Sequence, residues 1–216
     1  DSVRCEHIAF GNVLGPDRKM FKTRSGQTVK LIGLVDEATE RAHASLLARN
    51  PEMDETTRSA LALELARAAL KYADLSTERQ KDYVFDLERM VAFEGDTGPY
   101  LCYAHARIQS IFRRLGDEAT SFPTTWTLAE PAARSLAVGL LSFPEALEAT
   151  LNTVQPHRLA NYLFDVAQRF TSFYEACPVL SAEGDLRSER IALCRATAQV
   201  LSVGLSLLGI SAPDQM

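Results

Sequence analysis

The sequence predicts a mainly α-helical protein, a helical bundle preceded by a short segment of mixed strand and helix. Three observations lead there. Apolar residues recur at three- and four-residue spacing through most of residues 100–208, which lines them up on single helix faces. Residues favouring strands and turns gather in one place, residues 5–32. The 216 residues are 46% hydrophobic and 24% charged. No apolar run reaches the length of about 18 that a spanning helix needs.

Taken in order, Gly11, Gly15-Pro16-Asp17 and Ser25-Gly26 punctuate short extended segments in residues 5–32. After Gly33 the pattern turns helical. A first helix is expected over residues 34–49, stopped by Asn50-Pro51 because the residue before a proline is pushed out of helical conformation. A second, over 54–72, has Asp54 as its N-cap and enough alanine to pack closely. Tyr83-Val84-Phe85 and a short helical run over 87–91 read as a junction. A helix opening near Tyr100 follows, then a loop over 116–127, then helices over 130–141, 145–152, 157–175 and 186–208. Leu159, Leu163, Val166, Phe170 and Phe173 form the apolar stripe of one late helix. Ile191, Cys194, Ala198, Leu201, Leu205 and Leu208 form that of the other, so both face a shared core. Pro156 suits the first turn of the former, and Gly209 suits the end of the latter.

Net charge is −5, which argues against a surface that grips any nucleic acid through its phosphates. The charge is uneven, since residues 1–30 hold six basic residues against three acidic ones. Four cysteines lie far apart without a C-x-x-C pair, which indicates neither a zinc knuckle nor a disulfide framework and fits a reducing cytoplasm. Cys5 and His7 are two ligands at most, and packing is the better reading of them. No histidine, cysteine and serine set suggests a hydrolase. The start Asp1-Ser2-Val3-Arg4 carries no Met and no targeting pattern, and reads as the start of a fragment.

Two stretches carry chemistry. Glu94-Gly95-Asp96-Thr97-Gly98-Pro99 joins a glycine turn to a helix that Thr97 caps and whose first turn accepts Pro99. On that helix Tyr100, Ala104, Ile108, Ile111 and Leu115 share an apolar stripe, while Tyr103, Arg107, Ser110 and Arg114 share a polar one. An aromatic plane beside guanidinium groups suits a stacked base and a phosphate, and equally a solvated helix face. Lys19-Met20-Phe21-Lys22-Thr23-Arg24-Ser25-Gly26 is a basic loop able to neutralise a polyphosphate, or simply a solvated turn.

The order of motifs resembles the C-terminal part of the arginyl-tRNA synthetases, class I aminoacyl-tRNA synthetases. The resemblance rests on Glu6-His7-Ile8-Ala9-Phe10-Gly11, the basic loop with Val29-Lys30-Leu31, Ala69-Leu70-Lys71-Tyr72-Ala73-Asp74-Leu75-Ser76, Tyr83-Val84-Phe85-Asp86, the Gly95-to-Arg107 stretch, Pro156 to Phe164, and the ending Leu207 to Met216. It implies a short α/β remnant of the class I catalytic domain over 1–90 and a DALR-type anticodon-binding bundle over 91–216.

The activity implied is arginine-tRNA ligation, with ATP and Mg2+ used by the full-length enzyme to make arginyl-adenylate before transfer to tRNA(Arg). Neither ATP nor Mg2+ is expected to bind the fragment tightly, and no membrane is involved. The basic loop is similar to the family's divergent KMSKS loop. On that likeness Lys22 and Arg24 are the catalytic candidates, and Lys22, Thr23, Arg24 and Ser25 together handle the nucleotide, with Lys19 also within reach. Tyr100, Tyr103, Arg107 and Met216 are the candidate tRNA contacts. The chain departs from the family at Cys102, where glutamine is more usual, and at Gln215, where an arginine is. These departures and the negative charge motivate a second expectation: a non-catalytic paralogue or helical interaction module without specific tRNA recognition.

Overall fold

The computed structural model describes residues 5–15, 17–20 and 31–216. Helix dominates it, as expected. A two-residue strand β1 (Val13–Leu14) is followed by a helical hairpin of α1 (Leu31–Arg49) and α2 (Glu55–Ser76). Strand β2 (Tyr83–Val84) and the single turn α3 (Leu87–Met90) lead into α4 (Gly98–Leu115), α5 (Pro131–Leu141), α6 (Phe143–Thr153), α7 (Pro156–Ala176) and α8 (Gly184–Leu207).

The hairpin follows from small residues. Ala62, Ala66 and Ala69 of α2 and Ala38 and Ala42 of α1 are all buried, so the two backbones approach closely. Asp54 caps α2 by accepting from Thr57 N at 2.9 Å. The helix runs on to Ser76 because its last turn, with Tyr72 fully buried, packs into the bundle. Both stripes expected for the late helices lie in the core: every residue of the α7 stripe is at most 2% exposed, and every one of the α8 stripe at most 7%. Full burial of each large side chain is worth about 1.5–3 kcal/mol.

One apolar core runs from Ala42 and Leu46 of α1 through α2, α4, α5, α7 and α8 to Ile210. Gly98 shows how tightly α4 enters it. A Cβ there would stand 2.3 Å from the carbonyl oxygen of Ala68, so only glycine lets α4 start against α2. Beside it the hydroxyl of Tyr72 donates to Asp96 Oδ1 at 2.6 Å, tying α2 to the glycine turn.

Residues 5–32, expected as short strands or extended segments, meet that expectation in part. The described part contains β1 and an isolated antiparallel bridge between Leu14 and Met20, while Leu31 and Ile32 already belong to α1. β1 pairs in parallel with β2, Val13 opposite Tyr83 and Leu14 opposite Val84. A parallel pair needs a crossover, and α1 and α2 supply it. The junction around Tyr83 is therefore the second strand. Cys5 and His7 are exposed rather than packed, since the segment touches the rest of the chain mainly through Gly11, Asn12 and β1. Within the loop expected over 116–127, Gly116–Thr120 closes a short 3₁₀ turn.

Candidate nucleic-acid interface

α4 is built as a presenting helix. Thr97 Oγ1 accepts from Tyr100 N at 3.2 Å and Pro99 occupies the first turn, so the start is fixed in register. Ala104, Ile108, Ile111 and Leu115 are buried as their spacing requires, which turns Tyr103, Arg107, Ser110 and Arg114 outward. They form one wall of a groove of about 580 Å³. The opposite wall is Tyr174 of α7 with Pro178–Ser181 of the α7–α8 connection, and Met216 lies at the same groove.

The groove is electropositive in a chain of net charge −5. Arg107, Arg113 and Arg114 line it, and no Asp or Glu does. Arg113 and Arg114 sit in the last turn of α4, where the helix dipole favours positive charge. The Arg107 guanidinium lies 3.7 Å from the centroid of the Tyr174 ring, which holds it in place without neutralising it. Tyr103 is 37% exposed, leaving ring surface for a planar ligand.

The sequence-derived residues separate into three groups. Tyr103, Arg107 and Met216 are brought together in the groove. Tyr100 stands apart: its hydroxyl lies 3.1 Å from Thr171 Oγ1, and its ring meets Phe164 edge-on at 5.7 Å. Thr171 spends its own proton on Ala167 O, so the Tyr100 hydroxyl is the donor. Lys22, Thr23, Arg24 and Ser25 lie outside the described residues.

Tyr174, Arg113 and the Pro178–Ser181 wall were not singled out from sequence. Tyr174 follows the apolar stripe of α7 by one residue and carries no motif, so only the packing of α7 against α4 reveals it. His157, Arg158 and Tyr162 on α7 and Arg187, Arg190 and Arg195 on α8 do not gather at the groove. Arg190 donates to Pro178 O at 2.6 Å, Arg187 pairs with Glu118 at 2.9 Å, and the Tyr162 hydroxyl donates to Gly139 O at 2.9 Å. Burial depresses the His157 pKa below the usual histidine range.

Cys102 faces away from the groove. It is fully buried, its Sγ lies 3.5 Å from Ser211 O, and burial pushes its thiol up to about 12. Among the described residues no cluster of three His, Cys, Asp or Glu is placed to hold a metal, and no helix is long and apolar enough to cross a membrane.

Comparison with known proteins adds the context. Residues 101–216 match the model of the DALR anticodon binding domain, and residues 1–87 that of the class I tRNA synthetase (R) catalytic domain. The arginine–tRNA ligase of Frankia casuarinae is 50% identical over all of this chain and 37% of its own length. That of Thermobifida fusca is 50% identical over 97% of this chain and 37% of its own. Among solved structures, Thermus thermophilus arginyl-tRNA synthetase superposes with a TM-score of 0.87 at 36% identity. It is covered over 35% of its length and covers 97% of this chain. The Plasmodium falciparum enzyme gives 0.78 at 31% identity, with the same coverage. The chain thus spans little more than a third of the curated relatives it matches. With these two domain models matched in order along it and arginine–tRNA ligases similar to it over its length, the chain belongs to the arginyl-tRNA synthetase family.

Proposed function

We propose that this chain is the tRNA-anchoring part of an arginine–tRNA ligase, and that its groove receives the anticodon loop of tRNA(Arg). The observation that carries the reading is the groove's composition: three arginines, two tyrosines and no acidic side chain, within a chain that is acidic as a whole. Tyr103 stacks a splayed base, Arg107 meets the adjoining phosphate or base edge, and Met216 packs against the base from the tail. Tyr100 acts beside them by fixing α4 to α7. The 90/91 division is then a change of role, with residues 1–90 serving the catalytic half and 91–216 the anticodon, although one core crosses it.

In the full-length enzyme ATP, with Mg2+, and arginine form arginyl-adenylate and pyrophosphate, and the arginyl group then passes to the tRNA's terminal ribose with release of AMP. Lys22 and Arg24 act on the charge that develops on the departing pyrophosphate, while Thr23 and Ser25 shape the loop. The setting is the cytoplasm. The 50% identity to two arginine–tRNA ligases favours this reading over a non-catalytic helical module.

The test is a binding titration with tRNA(Arg) and an anticodon-altered version of it at fixed salt. The cognate anticodon is expected to bind more tightly. Equal, weak and steeply salt-dependent affinities would remove the anticodon from the reading. In the full-length enzyme Lys22→Ala is expected to slow arginyl-adenylate formation and leave tRNA binding unchanged, and unaltered activation would remove Lys22.

A further inference from the structure

The tail after α8 has no regular secondary structure, yet it is held along its length. Gly209, at a φ of +70° that suits glycine, ends the helix and turns the chain. From there Ile210, Ala212 and Met216 pack on the core while Asp214 between them stays exposed. The carbonyls meet donors instead. Lys71 reaches Gly209 O, Cys102 Sγ reaches Ser211 O, and Arg113 Nη1 donates to Asp214 O at 2.8 Å.

The central tie is His105. It is 3% exposed, and its Nδ1 lies 3.0 Å from Pro213 O. A carbonyl only accepts, so Nδ1–H donates. Nε2 sits 3.2 Å from the Gln109 amide nitrogen, which only donates, so His105 Nε2 accepts. Both ring nitrogens are used, and the ring is locked between its own helix and the tail. His105 does not line the groove; Met216, three residues beyond Pro213, does.

We propose that His105 is a positioning residue for anticodon recognition: by holding Pro213 O it sets Met216 in the groove opposite Tyr103 and Arg107. The inference rests on the groove being the anticodon site. It acts through the tail, because without the Nδ1 donor the last residues lose their central anchor and Met216 samples positions outside the groove. Sequence alone reads His105 as one unpaired histidine among four; its partner is 108 residues away.

The test combines a spectroscopic readout with binding. With 13C-methyl methionine labelling, His105→Leu is expected to move the Met216 methyl signal to a sharp, unstructured position. It should weaken binding to cognate tRNA about tenfold, the scale of one lost buried hydrogen bond and its ordering, with binding to the anticodon-altered tRNA nearly unchanged. His105→Asn, whose side-chain amide nitrogen falls close to the place of Nδ1, should restore both. Met216→Ala added to His105→Leu should cost little more, because the two act as one unit. An unmoved Met216 signal in His105→Leu overturns the inference. So does a released tail with anticodon preference intact, and in that case the site reading stands. If the wild-type chain shows no anticodon preference while His105→Leu still frees Met216, the site reading is what fails, and the inference with it.

Discussion

Tyr100 and Tyr103 lie on one helix within a turn of each other and meet opposite environments. The first gives its hydroxyl to Thr171, while the second keeps ring surface open beside Arg107. Tyr103→Ala is therefore expected to weaken binding of cognate tRNA by about 1–3 kcal/mol, the value of one stacked base, in a salt-matched titration. Tyr100→Phe should leave that affinity in place and lower thermal stability by about 1 kcal/mol. The reverse pattern would exchange their roles. Periodicity alone separated the two, since Tyr100 opens the apolar stripe and Tyr103 begins the polar one. It could not show Tyr174, whose part depends on where another helix crosses.

Among the elements, the connection before α5 has an unusual support. Asp185, near the start of α8, takes hydrogen bonds from Thr124 and Thr125, and the buried Glu189 one turn later takes the amides of Thr127 and Leu128. Between these anchors stands Trp126, the chain's single tryptophan. Hydrogen bonds from the Thr124 hydroxyl, then its amide, and from Thr125 hold the Asp185 carboxyl below the usual aspartate range. Its folded pKa is depressed, so its contribution is present above the unfolded value and lost as pH falls through the lower folded one. Trp126 fluorescence is expected to shift as pH drops below about 4. Asp185→Asn should show the shifted signal already at neutral pH and lose that acid step; an unaltered neutral spectrum would dissociate Asp185 from the loop. None of this support was legible in the sequence, where 116–127 reads as an unstructured loop. The helices were legible because their period is local. Carboxylates reaching about 60 residues back are not.

For the molecule as a whole, the core that joins α1 to the tail makes residues far from the groove decide whether it exists. Phe170, in the α7 stripe, is fully buried, and its ring centroid lies 6.1 Å from that of Tyr174. Phe170→Ala is expected to cost about 3–5 kcal/mol in denaturant unfolding, the range for emptying a large aromatic site. A loss below about 1 kcal/mol would mean that α7 repacks freely. Mainly α architecture could be foreseen because helical stripes dominate the chain. The pairing of β1 with β2 could not, because Val13-Leu14 and Tyr83-Val84 are too short to signal a strand in isolation.

That same pairing sets an order of events in synthesis. Asn12 and Asp82, which flank it, are 70 residues apart, so β1 leaves the ribosome long before its partner is made. The α1–α2 hairpin closes on local contacts while β1 waits, and the strand pair can zip only after the hairpin has brought Tyr83 back to it. A nascent chain stalled before residue 83 would thus carry its helices and leave an unmatched strand edge for a chaperone to guard.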